Sequence, residues 1–148
     1  LSQTSTLNCV LGFTDTETVL LDLDDVSFRT ARYWARRANR WFKLEGFLIL
    51  KSSENHYHVV FNRRVSWSEN MRIVAWVSLL SHNRGLVKWF IMQCIKQGST
   101  LRVSPKVEKH SPRIVYREGI QDGRIREFLV ERKLIKKIVS CISRIDFV

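Results

Sequence analysis

Two aspartates stand two residues apart at the end of an apolar run, Val19-Leu20-Leu21-Asp22-Leu23-Asp24, and two histidines, His56 and His58, stand two apart in a second run. On extended backbone that spacing puts both members of each pair on one face. Two converging carboxylates suit a hard divalent cation, Mg²⁺ or Mn²⁺. Taking both out of water without a counter-charge is costly, so a strand-end acidic pair in a basic chain needs a reason, and a metal ion is one. Set against this, an isolated Asp-x-Asp more often stands in water at a sheet edge or pairs with arginine, and a lone strand histidine is usually satisfied by a carbonyl. Asp25 belongs to the following loop and helix start, where a carboxylate favours the positive end of the dipole.

The elements that must position these groups follow from periodicity. Residues 18–24 (TVLLDLD) read as a strand buried in a sheet. Ser27 can cap a helix on which Phe28, Ala31, Ala35, Ala38 and Phe42 form an apolar stripe, with Arg29, Arg32, Arg36 and Arg40 on another. Gly46 ends it, and residues 47–51 (FLILK) and 57–62 (YHVVFN) predict a β-hairpin about the polar turn 52–55. Residues 67–81 read as a helix buried through Ile73, Val74, Val77 and Leu80. Residues 84–97 read as another, buried through Leu86, Val87, Phe90, Ile91 and Cys94, with a break at 83–85. Short strands at 100–104 and 113–117 flank a basic segment, 105–112. Residues 124–143 form an amphipathic helix with Phe128, Ile135, Ile138, Val139 and Ile142 inward, and a further short strand fits 7–13. The order predicts an α+β fold, a ferredoxin-like or RNA-recognition-type, mainly antiparallel sheet with helices packed on one face. No linker or repeat divides residues 1–148, which read as one domain with its core at about 14–118 and a basic helix at about 124–143.

Composition narrows the partners. A 148-residue chain that is 45% hydrophobic, with five Trp and eight Phe, can fill a core, which excludes a disordered tail. Twenty-five Lys and Arg against fourteen Asp and Glu leave +11 at pH 7 and point to a polyanion, nucleic acid first. A membrane surface is the rival, but no run approaches the roughly 20 apolar residues of a spanning helix, and residues 1–10 lack a charged n-region. A soluble, intracellular, cytoplasmic protein is expected. Cys9, Cys94 and Cys141 are far apart with no Cys-x-x-Cys, so they are expected to be reduced, with Cys94 buried. The missing initial Met suggests a trimmed chain or a piece of a longer protein.

Taken together, VLLDLD and SSENHYHVVF resemble the first two signatures of the archaeo-eukaryotic primase and primase-polymerase superfamily, an acidic pair in one strand and a Ser-x-His-type strand after it. Ser53, Asn55, Tyr57 and His58 fall on the second pattern, and the resemblance spans roughly residues 18–106. It implies a metal-dependent nucleotidyltransferase core of a replication protein, acting on nucleoside triphosphates and DNA or RNA, with a helicase or other replication protein as a possible partner. Asp22 and Asp24 would then be catalytic ligands of Mg²⁺ or Mn²⁺, with Ser53, Asn55 and His58 on the nucleotide. The chain departs from the family at its third carboxylate: no Asp occurs between Asp25 and Asp122, and Arg102 stands where an acid is expected. Arg102 and Lys106 read instead as contacts to a triphosphate or template. A lost ligand opens one alternative, a non-catalytic nucleic-acid-binding module. A second takes His56-Tyr57-His58 as the paired histidines of an HUH-type replication-initiator nickase, whose nucleophile would be Tyr33 or Tyr116.

The basic residues Arg29, Arg32, Arg36, Arg40, Lys106, Lys109, Arg113 and Arg117 are expected to form a groove that neutralises phosphates. Trp76 and Trp89 are expected in the core, while Trp34, Trp41 and Trp67 are open to packing or base stacking.

Overall fold

The computed structural model describes residues 10–106 and 108–145. In chain order the elements are β1 (Gly12–Asp15), β2 (Leu20–Leu23), α1 (Phe28–Phe42), β3 (Gly46–Ser53), β4 (His56–Phe61), α2 (Trp67–Ser81), α3 (Arg84–Lys96), β5 (Ser99–Arg102), β6 (Arg113–Gly119) and α4 (Arg124–Ile145). The fold is α+β. An antiparallel sheet runs β2-β4-β3-β6, and β1 pairs with β5 in a separate antiparallel ladder. Because β4 lies between β2 and β3, the unit β2-α1-β3 is the split βαβ of a ferredoxin-like sheet.

Period two divides the sheet residues between two cores. Leu21, Leu23, Phe47, Ile49, Val59 and Phe61 pack with Ala31, Ala35 and Ala38 of α1, Ile73, Val74 and Val77 of α2, and Leu86 of α3. Leu20, Leu48, Leu50 and Val60 face the other way, against Phe13 of β1, Leu101 of β5, and Ile125 and Phe128 of α4. Phe13 and Phe128 meet edge to face at 5.2 Å. The expectation of helices on one face is therefore corrected: α4 and the β1–β5 ribbon cover the second. Double burial is why these strands read as nearly continuous apolar runs.

Side-chain caps fix where the helices start. Ser27, Ser66 and Asn83 accept from the backbone N–H groups of Thr30, Glu69 and Leu86. Lys43, His82 and Gln97, all left-handed, close the same helices. The β3–β4 turn needs a positive φ, and Asn55 supplies it at 58°.

Other expectations change with the packing. α3 turns Leu86 and Gln93 inward, with Trp89 and Phe90 half-buried, so Val87, Ile91 and Cys94 are exposed. Gln93 earns its burial by accepting from the Thr100 N–H and donating to the Trp89 carbonyl, which ties α3 to β5. Leu80, Ile138 and Ile142 are also exposed, and Trp76 is half-buried at the rim of the helix-side core. Of the strand expected at 7–13, Gly12 and Phe13 lie in β1; residues 7–9, Cys9 included, lie outside the described residues. Among the described residues no helix is long and apolar enough to cross a membrane.

Candidate functional site

Antiparallel pairing sets Asp22 directly opposite His58 across the β2–β4 ladder, with Leu23 opposite Tyr57. Asp22 and His58 share the face of Leu20 and Val60, away from α1, α2 and α3. Where the apolar rows of that face end, a cleft of about 370 Å³ opens. It is lined by Asp22, Asp24, Ser52, Ser53, His56, His58, Arg102, Lys106 and Lys109, with Val10 at its edge.

The acidic wall is held under electrostatic tension. The Asp22 side chain is 26% exposed and has His58 Nε2 3.5 Å from its Oδ1. Burial, and then the neighbouring Asp24, push the Asp22 carboxyl up to about 7 despite the cations opposite. Burial, and then Arg102 and His56, lower His58 to about 3, so its imidazole is neutral at physiological pH. His56 Nδ1 donates to Asp24 Oδ1 at 2.6 Å, while its Nε2 lies 3.8 Å from Asp25 Oδ1. The start of α3 braces Asp24 from behind. Asn83 Nδ2 donates to the Asp24 carbonyl at 2.7 Å, and Gly85 leaves room for the carboxylate, since a Cβ there would collide with it.

The basic wall comes from the segment after β5. Arg102 reaches across it and donates from Nη1 to the carbonyls of Ser104 (2.6 Å) and His110 (3.0 Å) and from Nη2 to that of Ser52 (3.2 Å). Its guanidinium pins this segment to the end of β3. Lys106 and Lys109 exchange backbone hydrogen bonds of 3.1 and 2.8 Å, which turns the chain back and presents both side chains at the cleft. Neither lysine is in an ion pair among the described residues.

The chain matches no protein-family model, no curated protein and no solved structure.

Several expected site residues stand elsewhere. Asn55 is exposed at the hairpin turn outside the cleft, and its carbonyl accepts from the Val26 N–H; the turn's left-handed backbone accounts for its type. Arg113 lines an adjoining cleft of about 460 Å³, which shares Ser52, Ser53 and Lys109 with the first. Arg117 is within electrostatic reach of Arg132 on α4. Arg29, Arg32, Arg36 and Arg40 belong to α1, across the sheet from the cleft: Arg36 bonds Glu118 and Tyr116, and Arg32 lies over Phe28 and Tyr116. One groove holding all eight cations is not formed, because Tyr116 packs into the helix-side core while the two lysines belong to the other face. Tyr33 on α1, Tyr57 and Tyr116 all lie on the helix side, so none is placed as a nucleophile beside His56 and His58.

Among the described residues no group of three or more His, Cys, Asp or Glu side chains is set to hold a metal ion. The donor chemistry fits a looser arrangement. Mg²⁺ commonly takes one or two carboxylates and completes its shell with water and substrate phosphates. Asp22, reluctant to ionise because it is buried and stands near Asp24, is a carboxyl that a cation would help to ionise. Asp24 supplies less, because one of its oxygens accepts from His56. Sequence reasoning missed that hydrogen bond and the Asn83–Gly85 brace; the brace's signal was the cap residue Asn83 with Gly85 two positions on, read only as a break between helices.

Proposed function

We propose that the cleft is a metal-assisted phosphate-transfer site of primase-polymerase type, which binds a nucleoside triphosphate and transfers its nucleotidyl group to a terminal hydroxyl of DNA or RNA, breaking the bond between the α- and β-phosphates and releasing pyrophosphate. The observation that carries this reading is a single cleft with Asp22 and Asp24 on one wall and the lysines Lys106 and Lys109 on the other. A triphosphate with its cation needs both signs within one small volume. The cation, when bound, would neutralise phosphate charge and polarise the reacting phosphorus. Asp22 and Asp24 would hold it, the lysines would take the outer phosphates, and the Ser53 hydroxyl would donate to a phosphate oxygen. His58, neutral and buried, stands with Nε2 3.5 Å from Asp22 Oδ1 and would position that carboxylate rather than give up a proton. Arg102, with its guanidinium bonded to three carbonyls, shapes the basic wall.

The reading is tested by Mn²⁺-dependent incorporation of nucleotides on a primed template. Wild type should incorporate, and the double variant Asp22→Ala, Asp24→Ala should not. An inactive wild type, or a double variant that matches it, would remove the reading.

A second reading, a non-catalytic nucleic-acid-binding module, is favoured by Arg102 standing where a third acid is expected and by the hydrogen bond that engages Asp24. Such a module would bind nucleotide equally well with Mn²⁺ or with chelator. Replication, with a helicase or similar partner, is the setting this proposal implies.

A further inference from the structure

The cleft leaves the outer face of α1 unexplained. That helix, FRTARYWARRANRWF, carries Arg29, Arg32, Arg36, Arg37 and Arg40 and no acidic residue. With Tyr33 these arginines line a shallow depression of about 360 Å³, and among the described residues only Arg36 has a carboxylate partner, Glu118.

Exposed aromatic rings accompany the charge. Trp41 is 70% exposed and lies nearly parallel to Trp76, with centroids 6.0 Å apart and 14° between planes. Tyr33 is 51% exposed and stands edge-on to Trp34 at 5.1 Å. The Arg37 guanidinium sits 5.4 to 5.7 Å from the ring centres of Tyr33, Trp34 and Trp76. A tryptophan face left in water is an unfilled stacking position, and of the row of cations beside it only Arg36 is ion-paired among the described residues.

We propose that this face is a second nucleic-acid surface, a platform on which bases of single-stranded DNA or RNA stack on Trp41 and Tyr33 while the arginines neutralise phosphates. It is independent of the cleft, which lies on the opposite side of the sheet. Single strands are the chosen occupant because a base can cover the outer Trp41 face only when it is unstacked from its neighbours. The helix is about 20 Å long, room for roughly four extended nucleotides at the lower end of known single-strand site sizes.

The test measures anisotropy of labelled dT₁₂, rU₁₂ and a 12-base-pair duplex on the full chain, in chelator and over a range of NaCl. Trp41→Ala should weaken single-strand binding by about tenfold with an unchanged salt slope, and Trp41→Phe should restore most of it. Arg29→Ala with Arg40→Ala should lower the slope of log affinity against log salt by roughly 1.4. Trp41 and both arginines are exposed, so melting temperatures should hold. Because the titrations are run in chelator, without the cation on which the cleft is proposed to depend, they separate this surface from the cleft. Comparison of dT₁₂ with rU₁₂ assigns the preferred sugar. The proposal is overturned if Trp41→Ala and the arginine pair leave binding unchanged, if duplex binds as tightly as single strand, or if poly-glutamate competes as well as dT₁₂ at equal charge.

Discussion

The cleft and the outer face of α1 are both cationic, yet they hold their charges in opposite ways. In the cleft, backbone pairing of β2 with β4 forces Asp22 and His58 together at the end of an apolar face, and burial moves both away from their ordinary titration ranges. On α1 the arginines are spread along a helix in water, with Arg32, Arg36 and Arg37 resting on aromatic rings. A hydrogen-bonded ladder can hold groups in a relationship they would not choose, and that is what chemistry on a substrate requires. A helix face offers spaced, relaxed cations, and that suits a polymer of regular charge. The difference teaches that net charge alone does not locate a reactive site.

The largest expected effect breaks the comparison at the cleft. Asp22→Ala should lower nucleotide incorporation by at least roughly 10²–10³-fold, on the scale of losing one preorganised electrostatic group, while single-strand binding at α1 stays unchanged. Next, Gly85→Ala should push a methyl group into the Asp24 carboxylate and weaken Mn²⁺ binding by about 10- to 100-fold, as read by the Mn²⁺ resonance signal. Lys106→Ala with Lys109→Ala should act mainly on nucleotide affinity, raising KM by about tenfold with a smaller change in kcat.

How far the sequence led depends on the range of the interaction that decides each feature. Period two placed Asp22 with Asp24 and His56 with His58, because strand alternation is local. That the two strands are neighbours, with Asp22 opposite His58, is a long-range pairing that spacing does not encode. α3 was misread for a related reason. It is apolar on several sides, so Val87, Ile91 and Cys94 looked as suitable for burial as Leu86 and Phe90. Only the sheet beneath chooses between them, and it chooses the side on which Gln93 can bond Thr100. Asn55 shows the converse: a residue read as a nucleotide contact is explained by the turn's positive φ. The turn between Lys106 and Lys109 and its anchoring by Arg102 were illegible, since the guanidinium ties nearby carbonyls of Ser104 and His110 to that of Ser52, which is distant in sequence.

Two smaller effects sharpen the contrast in electrostatic tension. The folded Asp22 carboxyl titrates near 7 against 3.8 in the ordinary state, so between those values the folded protein holds a proton that the unfolded chain releases. Stability contributed by that proton is present at low pH and is lost as pH rises through about 7. Asp22→Asn, which stays neutral, should therefore melt roughly 5 °C above wild type at pH 8 in chelator and close to it at pH 4. Glu118→Gln, which frees Arg36 on α1, should lower the melting temperature by no more than about 2 °C, because a half-exposed ion pair contributes little.

The central claim is that Asp22 and Asp24 draw a divalent cation and a nucleotide into the same cleft. It is tested most directly by calorimetric titration of a non-hydrolysable nucleoside triphosphate into the protein with Mn²⁺ and again with chelator. Binding should need Mn²⁺, weaken as pH falls below about 7, and be abolished by Asp22→Asn with Asp24→Asn. Equal nucleotide affinity with and without Mn²⁺, or full affinity in the double variant, would contradict it.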